Sequence, residues 1–361
     1  MKAWLLRLGL AAVATAASLA VAEGVVRWGF PYAKDSAIPG HVFAIDDVLG
    51  WRFRPGVVTT HRTRHFTVEY RIDASGYRDG HAPGAAAAGT RRALLYGDSL
   101  MFGWGIPQDR RFSDLLEARV PNLEFWNRAV PGYGLDQELL AYEHDAGTTP
   151  FDAAVFFVSR GTLDRMRSGF IYAKYKPRFV LDGGALRLVP PDGARNRIVS
   201  LVYDVLSPLY LPYFLQERIA LVRQRAAGTA PPVFSAETEP RFLDEVALGA
   251  LRRARESTRR RGHRMAVVVG DVFFDDREVL RAFCREHDIA FLEVPQEIVR
   301  TARTDERMDL VLGPYDRHWN TTATALVADA FEPYARELAP GGQARSRTPV
   351  AGLPGTRLAR R

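Results

Sequence analysis

Leu94-Leu95-Tyr96-Gly97-Asp98-Ser99-Leu100 is the stretch that decides how this chain is read. An apolar run stops at a Gly-Asp-Ser turn, and Met101-Phe102-Gly103-Trp104-Gly105 follows. Glycine permits a tight turn, so the serine hydroxyl can project from the carboxyl edge of a sheet, where open α/β folds place their sites. Far downstream, Asp316-Arg317-His318-Trp319-Asn320 supplies an acid and an imidazole two residues apart. A serine, a histidine and an aspartate are the parts of a nucleophilic triad. Some Gly-Asp-Ser tripeptide arises by chance in roughly one chain in ten of this length, so the surroundings must carry the reading.

From Arg92 the pattern alternates. Ala93–Tyr96, Leu123–Trp126, Ala153–Val158, Met265–Val269 and Ile289–Val294 are apolar runs of strand length. Helical patterns separate them around 110–119, 135–145, 241–260 and 276–287, and a last one covers 321–338. Such alternation predicts an α/β fold, a parallel sheet with helices on both faces. The second run ends in a glycine-bearing loop, Asn127-Arg128-Ala129-Val130-Pro131-Gly132-Tyr133-Gly134.

The Gly-Asp-Ser turn, the Asn127…Gly132 loop and the late Asp-x-His, in that order, resemble the sequence blocks of the SGNH (GDSL-type) hydrolase superfamily. The resemblance covers about residues 91–338. It implies a three-layer fold with about five parallel strands in flavodoxin-like order. It also implies roles: Ser99 as nucleophile, His318 as its base, and Asp316 orienting the ring and stabilising the imidazolium. The backbone N–H groups of Ser99 and Gly132 would face the oxyanion. Many members place the acid three residues before the histidine, where this chain has Tyr315. The two-residue spacing followed by Trp319-Asn320 is similar to membrane-anchored esterases and polysaccharide O-acetyltransferases of the same superfamily.

One block departs. The family carries an asparagine after the third strand, as a further oxyanion donor. Here the stretch is Val158-Ser159-Arg160-Gly161-Thr162-Leu163-Asp164-Arg165, without a side-chain amide. Losing one such donor typically costs about 10²–10³ in turnover. Arg160 and Thr162 are the candidate substitutes, with Arg160 in solvent or paired with Asp164 as the alternative, and Arg165 and Arg167 are expected beyond the turn, in solvent. The rival reading is a catalytically silent protein of the same fold that binds cell-envelope glycan.

At 361 residues, with 47% hydrophobic content, the chain reads as globular. The net charge of +7 is not a nucleic-acid signal: Arg345, Arg347, Arg357, Arg360 and Arg361 supply five of those charges in a tail, 339–361, without apolar periodicity. No nucleic-acid motif, metal-ligand spacing or phosphate-cradling loop is present, so no nucleic-acid partner, metal or cofactor is expected. At the other end, Lys2 and Arg7 precede the uncharged run Leu8 to Ala22, and Ala20-Val21-Ala22 has the form of a signal-peptidase site. A cleaved signal and an uncleaved anchor both stay open. Arg27, Trp28 and Tyr32 suit an outer interface and favour the anchor, with the body at the cell membrane on the extracytoplasmic side. The single cysteine, Cys284, allows no internal disulfide.

The expected organisation is therefore a signal or anchor at 1–32, an N-terminal β-ribbon and linker at 33–90, and the hydrolase-like domain at 91–338. A basic tail expected to be disordered follows at 339–361. An insertion at about 165–240 opens with a hairpin around Asp182-Gly183-Gly184, followed by Ile198 to Val222, dense in Leu, Tyr, Val and Phe. That stretch reads either as helices packed on the core or as a lid or membrane-touching surface. The expected activity is an exported serine esterase or O-acyltransferase acting on small acyl esters or acylated carbohydrate.

Overall fold

The uncharged run at the amino end lies within one long helix, α1 (Lys2–Gly29), which by length and composition could cross a membrane. Glu23 does not interrupt it. At about 1.5 Å per residue the helix exceeds the ~30 Å of a bilayer core. The computed structural model describes residues 2–31, 34, 38, 40–81, 84, 86–172, 174–206, 208–226, 242–272, 274–301, 307–314 and 316–341. Residues 342–361 of the basic tail and the Pro231-Pro232 return from the insertion lie outside the described residues.

Two hairpins follow α1: β1 (Phe43–Asp46) with β2 (Gly50–Phe53), and β3 (Val58–Arg62) with β4 (Thr67–Arg71). The main sheet then begins with β5 (Arg91–Tyr96), followed by α2 (Ser99–Phe102), α3 (Phe112–Arg119), β6 (Leu123–Asn127), α4 (Leu135–Thr148), β7 (Ala153–Val158) and α5 (Arg160–Arg165). The inserted segment holds β8 (Phe170–Ile171), β9 (Lys174–Tyr175), β10 (Arg178–Asp182), β11 (Ala185–Val189), α6 (Gly193–Leu206) and α7 (Leu211–Ala226). The expected hairpin turns at Gly183 and Gly184, both at positive φ, as a two-residue loop requires. The chain closes with α8 (Glu245–Arg261), β12 (Arg264–Val269), α9 (Phe274–Glu286), β13 (Ala290–Glu293), α10 (Gln296–Thr301), β14 (Val311–Gly313), β15 (Asp316–Trp319) and α11 (Thr321–Leu338).

The five-stranded sheet runs β13-β12-β7-β5-β6, parallel throughout. In chain order of its own strands this is 2-1-3-4-5, the flavodoxin-like arrangement. All six residues of β7 are buried, as are Ala93–Tyr96 and Met265–Val269. Continuous apolar runs of this kind suit strands covered on both faces. Right-handed crossovers put α3 with α11 on one face and α4 with α8 on the other. The strand order reverses between β5 and β7, so the crevice at their carboxyl ends is where a ligand site is expected.

The hairpins before β5 share this core. Trp51, Phe53 and Tyr70 are buried, and Phe53 and Tyr70 pack on Phe102 with ring centroids 5.3 and 5.1 Å apart. Arg78, also buried, donates to Gly103 O at 2.8 Å and Ile106 O at 2.6 Å, pinning the loop that follows α2. Arg78→Met keeps the aliphatic stem but strands those carbonyls, at about 1–3 kcal/mol for each buried group left unsatisfied. Urea unfolding should show a loss on the order of 3 kcal/mol; an unchanged midpoint would mean that the loop finds other donors.

Candidate active site

The turn after β5 sets the first side chain. Ser99 opens α2, half-buried, and Asp98 before it caps that helix by accepting from Leu100 N at 3.0 Å. Gly97 has no room for a side chain: a Cβ there would stand 2.6 Å from Met101 Cβ and 3.1 Å from Phe157 Cβ. Val130 N donates to Gly97 O at 3.0 Å, which ties the Asn127…Gly132 loop to the same turn. Asn127 holds that loop, its amide donating to Met101 O at 2.7 Å and its oxygen accepting from Ala129 N.

Asp316 and His318 lie on β15. A strand alternates its side chains with period two, so residues two apart share a face. That is how an acid two residues before the histidine still reaches it. Asp316 Oδ1 lies 2.6 Å from His318 Nδ1, and His318 Nε2 lies 2.8 Å from Ser99 Oγ. With a carboxylate at Nδ1, the ring proton belongs there. Nε2 is then the acceptor of the Ser99 hydroxyl, the tautomer that a general base needs. Asn320 fixes the end of the strand: it caps α11 through Thr322 N and Ala323 N and donates to Asp309 O at 2.6 Å.

A residue outside the sequence reading completes the arrangement. Trp104 Nε1 donates to Asp316 Oδ2 at 3.0 Å, and its indole stacks on the His318 ring, centroids 5.0 Å apart and 19° from parallel. Gly103 and Gly105, at φ 78° and 71°, bend the loop on both sides of it. The signal was visible as Gly103-Trp104-Gly105, a bulky ring between two glycines close behind the serine. Behind Trp104 stand His61, edge-on at 4.7 Å, and Phe66 at 6.4 Å, both from the β3–β4 hairpin.

Burial pushes the Asp316 carboxyl up, but the hydrogen bond and charge of His318, its backbone N–H and the Trp104 indole together hold it below the usual value. It is therefore ionised at neutral pH. Its contribution to stability is complete above the ordinary carboxylate pKa and is lost as pH falls through the depressed one. Burial pulls His61 down to about 4, with Asp316 raising and His318 lowering it, so this ring is neutral beside Asp316 and His318.

The loop after β7 differs from expectation in two respects. Thr162 is fully buried, and its hydroxyl is held between Ser159 N at 2.8 Å and Ser159 O at 3.0 Å, closing the cap of α5. It is spent locally and drops out as a candidate donor. Arg165 is not in solvent: it grips Asp98 Oδ2 with two nitrogens, at 2.7 and 3.1 Å, next to Ser99. Burial and the Asp98 charge push the neighbouring Glu138 carboxyl up. Arg167 lies over the Phe242 ring. Arg160, half-buried, opens α5. Gly132 sits at φ 85°, where a Cβ would meet Tyr172 Cε2 at 2.9 Å and Trp51 Cζ2 at 3.4 Å. Among the described residues no cluster of His, Cys, Asp or Glu has the arrangement of a metal site.

No family model and no curated protein matches the sequence. Solved structures that superpose include a lipolytic protein of the G-D-S-L family from Veillonella parvula, at 14% identity and TM-score 0.37 over 67% of this chain and 96% of that one. A putative lipolytic protein of the G-D-S-L family from Desulfitobacterium hafniense aligns at 9% and 0.40, over 67% and 98%. The psychrotrophic esterase EstA from Pseudoalteromonas sp. aligns at 11% and 0.35, over 68% and 94%. Likeness at this level carries no argument about activity, and the chemistry rests on the geometry above.

Trp104→Phe keeps an aromatic ring on His318 but removes the donor to Asp316. A hydrogen bond to a charged group is worth about 1.5–3 kcal/mol, or about tenfold or more in rate. The variant should therefore react with a fluorophosphonate at Ser99 about tenfold more slowly, while its circular dichroism is unchanged. Equal rates would reduce Trp104 to a packing residue.

Proposed function

We propose that this chain is an SGNH-type serine hydrolase or O-acyltransferase, anchored in the cell membrane by α1 with its catalytic domain on the extracytoplasmic side. The observation that carries the reading is the continuous chain from Ser99 Oγ to His318 Nε2, 2.8 Å, and from His318 Nδ1 to Asp316, 2.6 Å. Its substrates are small acyl esters, with carbohydrate O-acetyl groups as the class that the sequence resemblance favours. No metal or cofactor takes part in this scheme.

In the first half-reaction Ser99 Oγ attacks the ester carbonyl carbon as its proton passes to His318 Nε2. Asp316 stabilises the imidazolium. The N–H groups of Ser99 and Gly132 face the oxyanion, and the Arg160 guanidinium is the candidate for the position where the family has its asparagine. The tetrahedral species collapses, His318 returns the proton to the departing alcohol, and an acyl group remains on Ser99. In the second half, water or a sugar hydroxyl gives its proton to His318 and attacks the acyl carbon. Ser99 leaves with that proton restored.

Wild type and Ser99→Ala compared on p-nitrophenyl acetate test the scheme. Wild type should turn over and Ser99→Ala should not; equal rates would leave the silent glycan-binding reading. In the same assay Arg160→Ala should lose about tenfold or more in turnover without unfolding, the scale of one oxyanion donor. Unchanged turnover there, with Ser99→Ala inactive, would leave a two-donor oxyanion hole.

A further inference from the structure

Helix α6 presents a face that none of the described residues covers. Ile198, Leu201, Val202, Val205 and Leu206 follow the spacing i, i+3, i+4, i+7, i+8, the stripe by which a helix normally joins a core. Here each is exposed: 67%, 68%, 51%, 63% and 40% of the residue surface is open. The helix is not loosely attached. Asn196 is fully buried, donating to Tyr175 O at 2.7 Å and Gly50 O at 3.3 Å and accepting from Tyr175 N at 2.8 Å. On α7, Leu215, Ile219 and Val222 repeat the pattern at i, i+4, i+7, again exposed.

The connection between α6 and α7 is bound to α1. The Glu23 carboxylate accepts from Tyr210 N and Leu211 N, each at 2.9 Å, and so caps the start of α7. Arg27 donates to Pro208 O at 3.1 Å, and Phe30 packs on Phe214 with centroids 4.6 Å apart. Around this junction Arg27 and Lys34 lie over the Tyr210 ring, and Arg218 over Phe214. Trp28 beside it is 88% exposed. Aromatic and basic side chains gathered where an apolar helix ends are the composition of a membrane interface.

With α1 read as the membrane anchor, as proposed above, we infer that the apolar faces of α6 and α7 lie in the headgroup region of the outer leaflet. The lipid bilayer is the occupant that accounts for both observations. The anchor delivers the α6–α7 turn to the depth of Glu23, the first charged position after the uncharged run, and there the exposed stripes meet lipid. An interfacial helix buries its apolar side about 5–10 Å into the headgroup–acyl boundary. Hydrophobic residues that would be a liability in water become a second attachment beside the anchor.

Fluorescence from single labelled positions in the full chain tests this. Leu201→Cys on α6, Leu10→Cys on α1 and Ala282→Cys on α9, all exposed in the structure, accept a thiol-reactive, polarity-sensitive dye. The native Cys284 does not compete, because it is buried with its thiol pushed up to about 12. Each protein is placed, one copy per disc, in nanodiscs of phosphatidylcholine and phosphatidylglycerol with or without nitroxide-bearing lipids. The dye on Leu201→Cys should emit to the blue of that on Ala282→Cys. It should also be quenched more by nitroxides near the headgroup than by those at the chain ends, with Ala282→Cys unquenched. Quenching at Leu10→Cys with none at Leu201→Cys would overturn the inference while leaving the anchor, and would assign the stripe to another copy of the chain or to water. No quenching at either position would overturn the anchor together with it.

Discussion

Everything at the site leans on one contact, the Trp104 indole between Asp316 and His318. A largely buried carboxylate is costly unless its charge is met by donors. Asp316 meets three: the His318 ring, the His318 backbone and the Trp104 N–H. The same indole stacks on the imidazole, so one side chain fixes the height of the acid and the plane of the base. Trp104 is itself backed by His61 and Phe66. Tyr70 accepts from Gly105 N at 2.9 Å, and Arg78 pins the carbonyls on either side. The hairpins before the sheet therefore act as a brace for the cluster of Asp316, His318 and Ser99. The tip of that brace also reaches β14, where a side chain at Gly313 would strike the His65 ring.

Much of the fold could be read from the sequence because parallel strands are apolar without interruption. Ala93–Tyr96 and Ala153–Val158 fall within a residue or two of the observed strands, and the helix boundaries follow their glycines and caps. The strand order was available only through the resemblance, since periodicity says nothing of which strand neighbours which. Ser99, His318 and Asp316 were legible as residue types in a known order. The geometry that joins them was not, because it depends on β15 being a strand, where spacing of two serves. Trp104 and Arg165 escaped for a related reason. Each acts across a turn, on a partner far away in sequence: 212 positions to Asp316 in one case, 67 to Asp98 in the other.

The side chains of the loop after β7 engage one another and the Gly-Asp-Ser turn. Without an amide at the strand end, Ser159 and Thr162 close a cap on each other, and Arg165 turns back onto Asp98. Removing either member of such a buried pair costs about 3–5 kcal/mol. The arginine therefore braces the turn that carries Ser99. The insertion places amphipathic patterning in an unusual setting: the stripes on α6 and α7 have the spacing of core helices, yet they are exposed beside α1.

The central claim is that Ser99 carries an acyl group during turnover. Mass spectrometry of protein quenched in acid during p-nitrophenyl acetate hydrolysis tests it most directly. The account predicts an acetyl group on the peptide that contains Ser99, present in wild type and absent once substrate is exhausted. Turnover with Ser99 unmodified throughout, or with the acetyl group on another residue, would contradict it.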